Sequence, residues 1–523
     1  HLTIINTMTY IKRNPVNEYK ISCLDEVIGD ENPVRLYRLL ADKFVSANAD
    51  KLGIRDKIAA GRPEYHPSDI FCLFLYGYVN RIGSSRRLEK ACYNNKEVEW
   101  LMGYLRPDHW TINKFRKDHL KLIDGFLRQF RKFMKAQKLI DGNYVMVDGT
   151  KIKANNSRDM LKVEELVEVI NRSEEDISRY LERLDRLDSI EEEQERLAEI
   201  RREREEFEQQ TKLEKEQLQQ ELESERERLR KEMEEEKERV RRELEELKAK
   251  TEKYKKLHNK AVAEDIKYIG PTDLDSRLML TRNGKTASYN SQTAVDSKNH
   301  LIVGVTVTND PVDVNQLRPM VNELLSEGIP VERVVADKGY SSLNEIQQIE
   351  EETSVECIVP IKKVPNEEKD LGFTYDEEKD EYICPMGKRL TLLQKGNKSR
   401  KDNASVYLCR ECDGCSIRKS CTNSEKGRTI HRRENKDWSE TYKERMKRPE
   451  NKNAIMKRGW TIEHVFGTMK LYMGLIPLLL RGIEGVRTEV ALYAQAYNLR
   501  RLLNIFEFSD LMKRVDEFDW KMA

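Results

Sequence analysis

The stretch Val145-Met-Val-Asp148-Gly-Thr-Lys-Ile-Lys153 sets one carboxylate among β-branched and apolar residues, just after a turn signal at Asp141-Gly142. It reads as a short strand. An Asp followed by Gly and Thr-Lys adds little to packing, but it suits a strand that must hold a divalent cation against a phosphate. Two later stretches have the same character: Val334-Val-Ala-Asp337-Lys-Gly-Tyr340 and Trp460-Thr-Ile-Glu463-His-Val-Phe-Gly-Thr-Met-Lys470. Asp148, Asp337 and Glu463 are therefore read as one metal site that the rest of the chain serves.

Around this strand the sequence spells out a sheet. After Gly270-Pro271, alternation over Ala287–Asp296, a turn at Ser297–His300 and alternation over Leu301–Thr308 describe a hairpin. An amphipathic helix follows from Asn315 to about Ser326, then a buried strand at Arg333–Asp337, a helix near Leu343–Glu351 and a strand at Glu356–Pro360. Three meandering strands, a helix and a further strand ending in a carboxylate describe a ribonuclease H-like sheet. From Asn453 the chain is helical again, and Glu463 and Lys470, seven residues apart, share a helix face. A helix over Ile483–Ile505, with Asn498, Arg500 and Arg501 around an apolar stripe, is expected to pack on the sheet.

Residues 1 to about 140 read as helical. Pro33 opens one helix; His66-Pro-Ser-Asp69 caps another, Ile70–Val79, apolar enough to require burial. Gly83-Ser-Ser-Arg86-Arg87 turns into a short helix, and Arg106-Pro-Asp-His-Trp-Thr-Ile-Asn-Lys-Phe-Arg116 starts another with a basic face. Such short helices with tight turns suit a helix-turn-helix-like DNA-binding unit, with a plain helical bundle as the alternative. Met8-Thr-Tyr-Ile-Lys reads as a plausible native start after seven preceding residues.

Between Thr150 and Ile269 there is neither Gly nor Pro. Leu218-Gln-Gln-Glu-Leu222, Leu229-Arg-Lys-Glu-Met233 and Val240-Arg-Arg-Glu-Leu244 recur every eleven residues, about 3.67 per turn, which keeps an apolar stripe nearly straight. One reading is a coiled-coil arm for self-association; the other is a solvated helix or an intramolecular hairpin, with Thr211-Lys-Leu-Glu214 a place where a second helix could begin.

Net charge is +1, so any surface for nucleic acid must be local. Nine cysteines, odd in number and mostly clustered, fit a metal site in a reducing compartment better than a disulfide framework. Cys384, Cys412, Cys415 and Cys421 have zinc-knuckle spacing, with Cys409 as the alternative fourth ligand of a structural Zn²⁺. Between Cys384 and Arg448 there are 18 Lys/Arg against 8 Asp/Glu, a surplus suited to phosphate contact. No apolar run is long enough to span a bilayer, so the sequence reads as a soluble intracellular protein without membrane contact.

Together these motifs resemble the bacterial insertion-sequence DDE transposases, in the branch named IS eleven-eighty-two. The resemblance covers nearly the whole chain outside roughly residues 190–250. It rests on Tyr65-His-Pro-Ser-Asp69, Tyr76–Glu89, Arg106–Arg116, Val147–Ser157, Tyr289–Asp296, Val335–Tyr340, Glu463–Lys470, Leu480-Arg-Gly482 and Asn498–Leu502. It implies a catalytic triad of Asp148, Asp337 and Glu463 holding two Mg²⁺ (or Mn²⁺) ions, with cleavage at element ends and 3′-hydroxyl transfer into target DNA. Its partners are double-stranded DNA and a second copy of the chain, as a dimer or higher oligomer paired on DNA. Basic side chains placed on DNA are Lys470, Arg458, Lys151, Lys338, Arg86, Arg87 and Arg116. The chain departs from the wider group where a Tyr is expected upstream of the Glu: Ile455 and Met456 stand there.

The fold class that follows is α+β and multidomain: a helical, helix-turn-helix-like domain at 1–140, and a ribonuclease H-like core at 141–157 and 271–361. A helical or coiled-coil insertion occupies 158–270, a basic zinc-binding insertion 362–450, and the helical end of the core, with Glu463, 451–523. The alternatives are a metal-dependent nuclease without strand transfer, and a domesticated DNA-binding scaffold that has lost catalysis.

Overall fold

The structure, a computed structural model, describes residues 23–54, 64–156, 160–205, 214–281, 284–362, 372–395, 404–422, 424–433, 436–475 and 477–522. Met8 and Thr211 fall outside these. The chain divides into two compact units: residues 1–152, 290–480 and 484–523, and residues 153–289 with 481–483.

The main sheet is mixed. Its strands are β1 (Val145–Lys153), β2 (Arg277–Thr281), β3 (Gly284–Asp296), β4 (Ile302–Thr308), β5 (Arg333–Val335) and β6 (Glu356–Ile358). The order is β2-β3-β1-β5-β6, with β4 antiparallel to β3 along Asn290–Val295, while β5 runs parallel to β1 and to β6. Val145, Val147, Val334, Val335, Cys357 and Ile358 are fully buried, as parallel strands covered on both faces require. The helix Ile483–Ile505 belongs to this core: Asn498 Oδ1 accepts from Ile302 N at 2.9 Å, and its Nδ2 donates to Ile302 O at 2.8 Å.

The amino-terminal helices form in this unit for the reasons the sequence suggests. Asn32 accepts from Val34 N at the start of Pro33–Ala47, and Pro67–Val79 is buried at every position from Ile70 to Val79. Ser85–Asn94, Lys96–Met102 and His109–Asp118 follow, the last capped by Asp108 accepting from Thr111 N at 2.7 Å. Phe44, Phe71, Phe126 and Phe130 pack as one aromatic group, and Trp520 stacks on the last two of them. A second, antiparallel sheet of five strands spans Thr374–Asp376, Glu381–Ile383, Arg389–Gln394, Ala404–Leu408 and Thr429–Arg433, paired in chain order.

In the other unit, the helices Val163–Glu205 and Glu214–Ala263 form an antiparallel pair. Lys255 Nζ meets Glu174 at 2.7 Å and Arg183 pairs with Glu236, so rising numbers on one helix face falling numbers on the other. Leu166, Leu257, Ala261 and Ile269 bury the base of the pair, where Leu161–Lys162 ladders with Tyr268–Ile269. Val240 and Leu244 of the eleven-residue repeat are buried, whereas Leu229 is half exposed. The stretch thus closes within one chain, which favours the hairpin reading over the single extended helix. Among the described residues no helix is long and apolar enough to cross a membrane.

Candidate active site

The register between β1 and β5 brings two carboxylates together. Val145 pairs with Val334 and Met146 with Val335, so Asp148, within β1, comes level with Asp337, two residues past the end of β5. Strands in such a sheet lie about 5 Å apart. Asp337 accepts from Gly339 N at 2.6 Å and caps the single turn Lys338–Tyr340. Asp148 Oδ1 accepts from Gly149 N at 2.9 Å, and its Oδ2 lies 2.9 Å from Arg458 Nη1. Burial pushes the Asp148 carboxyl up to about 6; the Arg458 guanidinium opposes the rise, and the neighbouring Asp337 charge adds to it.

A buried polar floor surrounds the pair. Asn290 and Gln292, two apart on β3 and so on one face, both donate to Asp313 Oδ1, at 2.7 and 2.9 Å. Tyr340 O–H donates to Gln292 Oε1, and burial together with Asp313, Asp148 and Asp337 raises its phenol well above the usual range. Lys151 Nζ lies 3.3 Å from Asp313 Oδ1, and Lys470 Nζ donates to Thr150 Oγ1. None of Asn290, Gln292, Asp313 and Tyr340 was singled out from sequence. The available signal was the run Ser288–Thr293, polar at five of six positions in a central strand.

The third acid behaves differently. Glu463 is exposed on the helix Pro449–Gly467, whereas Arg458 of the same helix reaches Asp148. Five residues turn about 140° around a helix, so the two side chains leave on different faces. Among the described residues no group of three or more His, Cys, Asp or Glu is placed to hold a metal ion. The structure brings Asp148 and Asp337 together, and Glu463 stands exposed on the helix that carries Arg458. The donors around the pair suit a hard cation, since they are carboxylate oxygens, and Asn290, whose amide nitrogen donates to Asp313, has its Oδ1 buried without a hydrogen-bond partner.

The basic residues expected on DNA divide in the same way. Arg86, Arg87 and Lys338 are exposed. Arg116 is 2 % exposed and donates to Tyr78 Oη, Gly83 O and Asn113 Oδ1, so it is a core cation and the DNA assignment is withdrawn. Arg458, Lys151 and Lys470 lie at the acidic pair.

The five clustered cysteines gather around one small pocket, with Phe373, Pro385 and Lys388. Lys388 N donates to Cys384 Sγ at 3.3 Å and Arg428 N to Cys412 Sγ at 3.4 Å. Cys409 is buried with Tyr382, Leu390 and Tyr407, and burial pushes its thiol up to about 11.

With this geometry in place, two family models match the chain. Residues 383–503 match one described as a transposase DDE domain, and residues 22–118 match a transposase domain (DUF772). The first takes in the cysteine cluster, Arg458, Glu463 and Lys470; Asp148 and Asp337 lie outside both. The two matches support a transposase function of the DDE type for a mixed α/β chain. No curated protein and no solved structure matches.

Proposed function

We propose that the chain is an insertion-sequence transposase of the IS eleven-eighty-two branch that cuts DNA at element ends and joins the freed 3′-hydroxyl to target DNA. The observation that carries this reading is the register that brings Asp148, within β1, level with Asp337, just past the end of β5. The strand order, three antiparallel strands followed by two parallel ones, supports a ribonuclease H-like core. Asp148 and Asp337 would hold the divalent cations, Mg²⁺ or Mn²⁺. When bound, such ions stabilise the attacking and leaving oxygens of phosphodiester cleavage. Lys470 and Lys151, at the same acidic pair, would meet the phosphates flanking the scissile one, and exposed Arg86, Arg87 and Lys338 would contact the duplex. Glu463 is the third carboxylate of this reading, carried on the helix that delivers Arg458. Two element ends are held paired during the reaction, so the working form is at least a dimer.

A structural zinc ion held by Cys384, Cys412, Cys415 and Cys421 is part of the same proposal. The shared pocket and the two N–H···S bonds support it. The deciding experiment supplies the chain with uncut element ends in flanking duplex, a supercoiled target and Mg²⁺. Joined products establish transposition; cutting without joining reduces the protein to a nuclease, and binding without cutting to a DNA-binding scaffold.

A further inference from the structure

Asp313 lies against Gly149 of β1 and Gly339 of the turn after β5. It belongs to the segment after β4, Asp310-Pro-Val-Asp313, and its side chain is 22 % exposed. A Cβ added to Gly149 would stand 2.4 Å from Asp313 Oδ1, and one added to Gly339 would stand 3.2 Å from Oδ2. The two oxygens of one carboxylate therefore face the residue after Asp148 and the second residue after Asp337. This accounts for a Gly in each motif: any side chain at Gly149 would displace the Asp313 carboxylate.

A second observation points to a ligand. Asn290 is fully buried, its amide nitrogen is committed to Asp313, and its Oδ1 has no hydrogen-bond partner. A buried amide oxygen left unpaired is costly. A hard cation beside Asp313 would supply the partner it lacks.

We propose that Asp313 is a further carboxylate of the acidic centre and holds a divalent cation with Asp148 and Asp337. This rests on the reading of Asp148 and Asp337 as that centre. Each outer carboxylate is engaged by a cation of the chain itself, Asp148 by Arg458 and Asp313 by Lys151, so the three do not converge on one point. Lys151 and a bound cation compete for the same carboxylate, which gives the proposal a signature that a scaffold residue lacks.

The test is Mn²⁺ binding to the intact chain without DNA, followed by electron paramagnetic resonance. The chains compared are the native one, Asp148→Asn, Asp313→Asn, Asp313→Glu and Lys151→Gln. Asp313→Asn and Asp148→Asn should each weaken binding by about tenfold or more. Asp313→Glu should recover part of the loss, and Lys151→Gln should bind Mn²⁺ more tightly than the native chain. If Asp148→Asn weakens binding while Asp313→Asn and Lys151→Gln match the native chain, Asp313 is a scaffold; the inference fails and the centre stands. If the native chain has no Mn²⁺ site sensitive to Asp148→Asn, the centre fails and the inference with it. Should Asp313→Asn not fold, Lys151→Gln and Asp313→Glu decide alone.

Discussion

Arg458 Nη1 lies 2.9 Å from Asp148 Oδ2, so the helix Pro449–Gly467 delivers a guanidinium to the middle of β1. This pairing sets the ionisation of the residue on which the proposed chemistry depends. Burial holds the Asp148 carboxyl near 6, and Arg458 keeps it from going higher. Activity that needs ionised Asp148 should therefore rise with pH through about 6. Arg458→Gln removes the opposing charge, and the acid limb of the cleavage profile should move up by about one pH unit or more. A profile with an unchanged midpoint would remove Arg458 from this role.

The second expectation concerns stability. Glu489 is fully buried, accepts from Leu479 N and Leu480 N, and has its carboxyl pushed by burial from 4.5 to about 7. A carboxyl raised in the folded state favours folding when protonated. Its contribution is complete below 4.5 and is lost as pH rises through about 7. The loss is on the order of 3 kcal/mol at most. Glu489→Gln should therefore narrow the difference in melting temperature between pH 5 and pH 8, as read by calorimetry.

Gly149→Ala tests the packing around the acidic pair. Its Cβ would stand 2.4 Å from Asp313 Oδ1 and 2.7 Å from Gln292 Nε2, so both side chains must move. Overpacking of this kind costs about 1–3 kcal/mol. A displacement near 1 Å at reacting groups slows chemistry by about a hundredfold. The variant should bind duplex DNA as the native chain does and cut it far more slowly; equal rates would show that the Asp313 position does not matter.

Much of this architecture was legible in the sequence because its signals are local. Alternation over Ala287–Asp296 and Leu301–Thr308 foretold the hairpin found at Gly284–Asp296 and Ile302–Thr308. The apolar run Ile70–Val79 foretold a buried helix, and strand-end motifs pointed to Asp148 and Asp337. What was not legible depends on geometry between elements. Asp313 lies outside any helix or strand, without periodicity, and only the fold brings it to Asn290 and Gln292. Arg116 sat on an apparently basic face, but helix packing turned it onto Tyr78. On one helix, sequence could not decide whether Arg458 or Glu463 meets Asp148, because that depends on how the helix crosses the sheet.

The cysteine cluster gives a metal-specific expectation. Elemental analysis should find one zinc per chain, lost in Cys384→Ser or Cys412→Ser. Cys409→Ser should retain it, since Cys409 is buried among Tyr382, Leu390 and Tyr407. A native chain free of zinc after purification without chelators would remove the site.

The most direct measurement is Mg²⁺-dependent cleavage of duplexes carrying the element ends, comparing the native chain with Asp337→Asn. Asp337 is chosen because the neighbouring Asp148 also anchors Arg458, whereas the Asp337 side chain accepts from Gly339 N of its own turn. The expected result is metal-dependent cutting by the native chain, and DNA binding without cutting by the variant. Undiminished cleavage by Asp337→Asn would contradict the assignment of the acidic pair as the catalytic centre.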